Sequence, residues 1–449
     1  LTTSTSRPPV KAAPGGTGFF TSTSGAKLIP ELVLVPFLVS FNLSYKLQIG
    51  MLAVLALTAF IRSHNAPARA SEFTRLPATA LLVVIALTFR DGQFKTASLY
   101  IAVFVVLLVV SLTITRKSAY ESLLAGFILY LLANIVGWAA GFQSPGTTNR
   151  IGGYETSSLF FSQRIFFPFA LSINETPYIG AAVLVAIIAM IKIRRRPSWY
   201  HWLGLLAAVF VLLGANNRTA VLLTAALGLS LALAPKATRA AGPYIIGISL
   251  LLPFYLVYTR PVFLGLQEYL RSNSFIVRGG SGRGIMGLEG RDVIWSASIN
   301  FWSEHFPGVM QLLFGFGYQG HVKSGAYLYF PTSTTDFFRD RSTLHAHNSL
   351  LQALFDTGVV GAGILFAVVV LVVYRYGRSA ELLPIFALTT MTALSGVVET
   401  NMAPGMGMSP AYLFLCLAFF VPAKAQKPDG PLATDRGTRG SKIPSSARG

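Results

Sequence analysis

The feature that most limits the fold is a succession of apolar runs, each of near membrane-spanning length, divided by short basic connections. A hydrocarbon core of about 30 Å takes about 20 helical residues to cross, and it offers no water to an unpaired backbone group. Such runs lie at roughly 28–43, 46–61, 76–89, 97–114, 119–141, 176–193, 199–214, 217–234, 243–260, 348–373, 381–398 and 408–422. They predict an all-α integral membrane protein of about twelve transmembrane helices. Composition agrees, since 53% of residues are hydrophobic, only 12% are charged and the mean hydropathy is +0.58. That is too little charge to cover the surface of a water-soluble domain of this length.

The connections set an orientation. Arg62, Arg69 and Arg75 share one, Arg116 and Lys117 a second, and Lys192, Arg194, Arg195 and Arg196 a third. Lys236 with Arg239, and Arg375 with Arg378, mark two more. With twelve spans all of these fall on one side with both tails, and the positive-inside rule makes that side cytoplasmic. The expected organisation is a disordered cytoplasmic tail over 1–27, a transmembrane domain over 28–422 and a second such tail over 423–449. Residues 1–27 lack the early apolar core of a cleavable signal peptide. The net charge of +19 belongs to loops and tails, which argues for a lipid bilayer as partner and against nucleic acid. Cys416, the single cysteine, excludes disulfides and cysteine metal sites.

The opposite side receives 142–175, the tight connection at 214–217, the large loop 261–347 and the loop near 399–407. Asn216 or Asn217 is placed to cap the next helix, whose first turn holds Arg218. A helix N-terminus beside a guanidinium makes an anion site, although an arginine snorkelling to headgroups has the same sequence. Residues 290–306 have helical periodicity, with Ile294, Trp295, Ser298 and Trp302 on the face of Arg291. Two indoles on one stripe predict a helix lying in the membrane interface. Arg291 then faces a ligand, or else pairs with Asp292 or Glu289. His347 falls at the N-terminal end of the following span, where the helix dipole disfavours imidazolium and leaves a neutral base. His345 and His347 would sit on different helix faces, and no third ligand is evident, so no metal site is expected. Arg150 and Arg164, with Glu155, Gln163, Asn174 and Glu175, read as a polar cavity lining, a re-entrant segment or an ordinary loop. Glu399, at the end of a span, is a further candidate because an ionisable group there is a functional hypothesis by default.

These segments together resemble the O-antigen ligase and O-antigen polymerase family of bacterial membrane glycosyltransferases. Three pieces carry the resemblance: Asn217-Arg218-Thr219-Ala220 at the short connection, Gly290-Arg291-x-x-x-Trp295 in the large loop, and His347-Asn348-x-x-Leu351-Gln352 followed by Asp356-x-Gly358-x-x-Gly361. The family more often has Glu where this chain has Asp356. The resemblance covers roughly residues 150–400. It implies an all-helical, C-type glycosyltransferase with the large extracytoplasmic loop between its ninth and tenth helices, seated in the inner membrane. It also implies an inverting, metal-independent reaction without cofactor, from a polyprenyl-pyrophosphate-linked glycan donor to a glycan or lipid acceptor. Carried over by motif, Arg218 and Arg291 hold the pyrophosphate and His347 acts at the acceptor hydroxyl. Arg150, Arg164, Asn348 and Trp295 stand as substrate-binding candidates. A transporter or flippase for a lipid-linked or anionic substrate is the alternative from another class. It expects broken helices, mid-membrane charges and two related halves, and no half-repeat is evident in the sequence.

Overall fold

A computed structural model describes residues 28–64, 75–111, 116–142, 165–170, 172, 174–193, 196–256, 291–305, 308–330 and 345–404. Every regular element among them is helical. In chain order these are α1 (Pro30–Ser40), α2 (Tyr45–His64), α3 (Arg75–Thr88), α4 (Phe94–Ser111), α5 (Arg116–Ala139), α6 (Glu175–Lys192), α7 (Trp199–Ala215), α8 (Arg218–Leu233) and α9 (Pro235–Leu250). The large loop contributes α10 (Arg291–Glu304), α11 (Val309–Phe314) and α12 (Gly320–Lys323). The chain then returns through α13 (Ser349–Gly377) and α14 (Leu383–Val398). Among the described residues six segments are long and apolar enough to cross a membrane, namely α2, α4, α5, α6, α13 and the stretch Ala380–Val398. The apolar run at 408–422 lies outside the described residues, as do both tails.

The helices begin where the sequence supplies starts. Pro30, Pro235 and Pro384 sit in first turns, where a missing N–H costs nothing. Asn217 and Asn348 cap α8 and α13 with their side-chain oxygens. Burial then sorts the bundle. The most apolar windows of α6 and Ala380–Val398 are 78% and 83% buried, against 22% for α2, so α6 and α14 form the centre and α2 the rim. α6 packs on α14, α7 and α8, while α13 packs on α3, α9 and α14. Gly180 of α6 lets α7 approach closely, since a Cβ there would stand 3.3 Å from the carbonyl of Ala208.

Three of the basic residues that the sequence placed in connections find acceptors within the bundle. Arg62 pairs with Glu31 at 2.9 Å, Lys192 donates to the carbonyl of Ala232, and Arg239 donates to that of Gly377. Lys192 ends α6 and Gly377 ends α13, so this end lies away from the first turns of those two helices. The helices α10 to α12 dock on the other end.

Gly358 makes that docking possible. It breaks α13 with φ 66° and ψ −169°, a conformation open to glycine and strained for other residues. The break frees the carbonyls of Phe355 and Asp356, which accept from the N–H groups of Phe316 (2.8 Å) and Gly317 (2.9 Å). Asp356 Oδ1 accepts from the Gly320 N–H at 2.8 Å and from Gln352 Nε2 at 2.9 Å. Arg90, just after α3, donates to the carbonyls of Phe314 and Gly315, and Lys323 pairs with Asp91 at 2.6 Å. The Asp356-x-Gly358 pair is therefore the hinge on which the loop hangs. A Cβ on Gly358 would collide with the backbone of Leu313 and Phe314. We expect Gly358→Ala to lower stability by more than about 2 kcal/mol, read as a fall in the thermal midpoint of the detergent-solubilised chain. Gly363→Ala, where an added Cβ meets nothing within 4 Å, is the neutral control.

Candidate functional site

The polar segments that the sequence spread over more than half the chain meet at the end opposite Lys192 and Gly377. Asn348 begins the assembly. It has extended backbone (φ −155°, ψ 129°), and its Oδ1 accepts from the Leu351 N–H at 2.9 Å. Its Nδ2 reaches across and donates to the carbonyl of Val397 at 2.9 Å. Ser349 donates from Oγ to the Glu399 carbonyl at 2.9 Å and accepts from the Met402 N–H at 3.0 Å. The start of α13 is thus stapled to the end of α14, the segment that carries Glu399.

His347 precedes the cap in a left-handed conformation, φ 46°. For a side chain of this size that costs of order 1–3 kcal/mol and is held only because the neighbours fix it. The turn brings the His345 and His347 rings to 4.1 Å between centroids. The expectation that the two imidazoles face apart assumed both to be helical, whereas both lie ahead of the helix.

α10 supplies the cation. Arg291 donates from Nη2 to Glu399 Oε1 at 2.6 Å, with both side chains 7% exposed. One turn on, Trp295 is fully buried and donates from Nε1 to the carbonyl of Ala346 at 2.9 Å, gripping the segment between the two histidines. Ile294 and Ser298 are buried beside it. The indole face therefore turns into the protein and not into the membrane interface. Arg291 finds its partner at Glu399, the residue that ends α14.

Glu399 also receives Asn174 Nδ2 at Oε1 (2.8 Å), and its Oε2 lies 3.4 Å from His347 Nδ1. Asn174 Oδ1 in turn accepts from Asn217 Nδ2 at 3.1 Å. Asn217 is the α8 cap, its Oδ1 accepting from the Ala220 N–H at 3.0 Å. Asn216, left-handed at φ 47°, ends α7. Arg218 is the first residue of α8 and is exposed, so it presents a guanidinium at a helix N-terminus. A continuous chain of polar contacts runs from the α8 cap through Asn174 and Glu399 to Arg291 and His347. Arg150 and Arg164 lie outside the described residues.

Two groups have displaced ionisation. Burial pushes the Glu399 carboxyl up, but the Arg291 guanidinium and the His347 imidazole outweigh it and bring it down to about 2. Burial, reinforced by the neighbouring His347, pushes His345 well below the usual imidazole range, so its ring is neutral.

His345, His347 and Glu399 offer three ligand atoms within 4.8 Å of one another. The fold thus supplies the third group that the sequence did not reveal. A tetrahedral ion with bonds of about 2.1 Å needs its donors about 3.4 Å apart, so the trio would have to contract. Arg291 already occupies Glu399 Oε1, and its charge opposes a second cation on that carboxylate. The arrangement is better suited to anion binding and proton transfer than to a cage for metal.

The chain matches no model of a known protein family, and no curated protein is detectably similar to it. Functional reading therefore rests on the residues themselves. The sequence marks Asn174 and Glu399 as candidates but not the pairing of Glu399 with Arg291, and the signal for Glu399 is an ionisable residue at the end of an apolar span. The amide donor of Asn348 is testable. Asn348→Ala should destabilise by about 1–3 kcal/mol through loss of the cap and an orphaned Val397 carbonyl. Asn348→Ser, which keeps a capping oxygen, should recover part of that loss in the same thermal assay.

Proposed function

We propose that the chain is a membrane glycosyltransferase that transfers or polymerises a glycan from a polyprenyl-pyrophosphate carrier. In this reading about twelve helices span the inner membrane, both termini are cytoplasmic and the site faces the extracytoplasmic side. The observation that carries the proposal is the meeting of a buried arginine and a preorganised histidine at the bundle end away from Lys192 and Gly377. An exposed arginine joins them at a helix N-terminus, linked to Glu399 by Asn217 and Asn174. The motifs in which Arg218, Arg291 and His347 occur resemble those of O-antigen ligases and polymerases, which supports the same chemistry.

The chemistry follows from what these groups do well. An acceptor hydroxyl attacks the anomeric carbon while the bond from that carbon to the pyrophosphate oxygen breaks, inverting the centre. Pyrophosphate leaves only if its growing negative charge is met. Arg218, with the positive end of the α8 dipole, and Arg291 supply fixed positive charge there. His347 takes the hydroxyl proton, and with a neutral His345 beside it the imidazolium formed meets Glu399 without repulsion. Trp295 and Asn348, engaged with Ala346 and Val397, hold the histidine segment in place.

The test is the reconstituted chain with a polyprenyl-pyrophosphate glycan, an acceptor and excess chelator, with products sized on a gel. Extended or transferred glycan is expected with chelator present. Arg218→Ala and His347→Ala should each lower turnover at least about 100-fold. Arg291→Lys, which keeps the charge but loses the planar fork, should do the same while the protein remains folded. Substrate moved across the bilayer without a new glycosidic bond would instead identify a transporter.

A further inference from the structure

In the reaction just described Glu399 only faces the imidazolium, yet two donors bond its carboxylate and His347 Nδ1 lies 3.4 Å from it. It is 5% exposed, its backbone carbonyl accepts from Ser349 Oγ, and its own N–H bonds the Ser395 carbonyl at 3.0 Å. Its two oxygens divide their tasks. Oε1 takes Arg291 Nη2 and Asn174 Nδ2, which leaves Oε2 to His347 Nδ1. Ser349 and His347 are two residues apart on one strand of backbone, so the bond to Ser349 locks carboxylate and imidazole in a common frame. At 3.4 Å the contact is an ion-pair approach and not a hydrogen bond, and among the described residues His347 Nδ1 has no other hydrogen-bond partner.

We infer that Glu399 is a positioning residue, holding His347 with its proton on Nδ1 so that Nε2 is the free base. The same carboxylate aims the Arg291 guanidinium. This inference rests on the glycosyl-transfer reading for its kinetic consequence, though not for the tautomer itself. A carboxylate against one ring nitrogen decides which nitrogen carries the proton. A base in the wrong tautomer presents an N–H to the acceptor hydroxyl and cannot take its proton. His345, its ring tilted against the same imidazole, contributes no fixed charge to compete with that arrangement.

A structural counter-ion to Arg291 would serve stability alone, and the experiment separates the two. The full-length chain is labelled with 15N-histidine and reconstituted in bilayers, and the His347 ring is assigned from the signal lost in His347→Asn. The Nδ1–H tautomer is expected in the native chain, and the Nε2–H tautomer or a mixture in Glu399→Gln. Should Glu399→Gln not fold, Arg291→Gln with Glu399→Gln leaves no buried charge unpaired and carries the same measurement. In turnover, Glu399→Gln should lower kcat at least about 100-fold while the donor KM changes by less than about tenfold. Glu399→Asp should recover part of the loss. A folded Glu399→Gln chain with the native tautomer and native kcat overturns the inference. So does stoichiometric zinc in the purified chain that Glu399→Gln removes, which would make the trio a metal site. If the native chain turns over no donor, the glycosyltransferase reading fails and the ring spectrum still decides what Glu399 does.

Discussion

The bond between Arg291 and Glu399 joins two parts of the chain that have no other reason to meet at that point. One is a helix of the large loop and the other the end of the most buried span. Removing two charges from water costs several kcal/mol each, and their attraction compensates only when the geometry is good and the remaining donors are satisfied. Here the carboxylate also takes Asn174, and the α10 helix is pinned one turn further on by Trp295. The pair is thus less a source of stability than a condition on the fold. If α10 docks anywhere else, two charges are left buried and alone.

From that constraint the rest of the site follows. Fixing Glu399 fixes Ser349 and the start of α13, and Asn348 closes the same junction through Val397. His347 is then forced into its left-handed turn beside the carboxylate. At the far side of α13, Gly358 opens the helix backbone for the loop to dock, so the loop is held at both ends of one helical segment. Rigid anchoring of this kind suits electrostatic catalysis, in which charges must be in place before the reaction begins.

Much of this was legible in the residues. The run at 176–193 became α6 within a residue, because apolar length and capping chemistry are local properties. Asn217 and Asn348 marked helix starts for the same reason. Partners across helices were not legible. Arg291 has Asp292 as its chain neighbour and Glu399 as its partner, and nothing in periodicity says which helix faces which. The Trp295 stripe misled because an indole facing a membrane interface and an indole gripping a backbone carbonyl share one pattern. Gly358 was visible as part of a motif, but the carbonyls it releases appear only when the loop lies across them.

A double-mutant cycle on Arg291→Met and Glu399→Gln, read as thermal unfolding of the chain in lipid nanodiscs, bears most directly on the constraint that organises the site. Each single substitution should destabilise by about 3–5 kcal/mol by leaving its partner's charge buried, and the double substitution by less than either. Effects that simply add, with the double variant the least stable of the three, would contradict it.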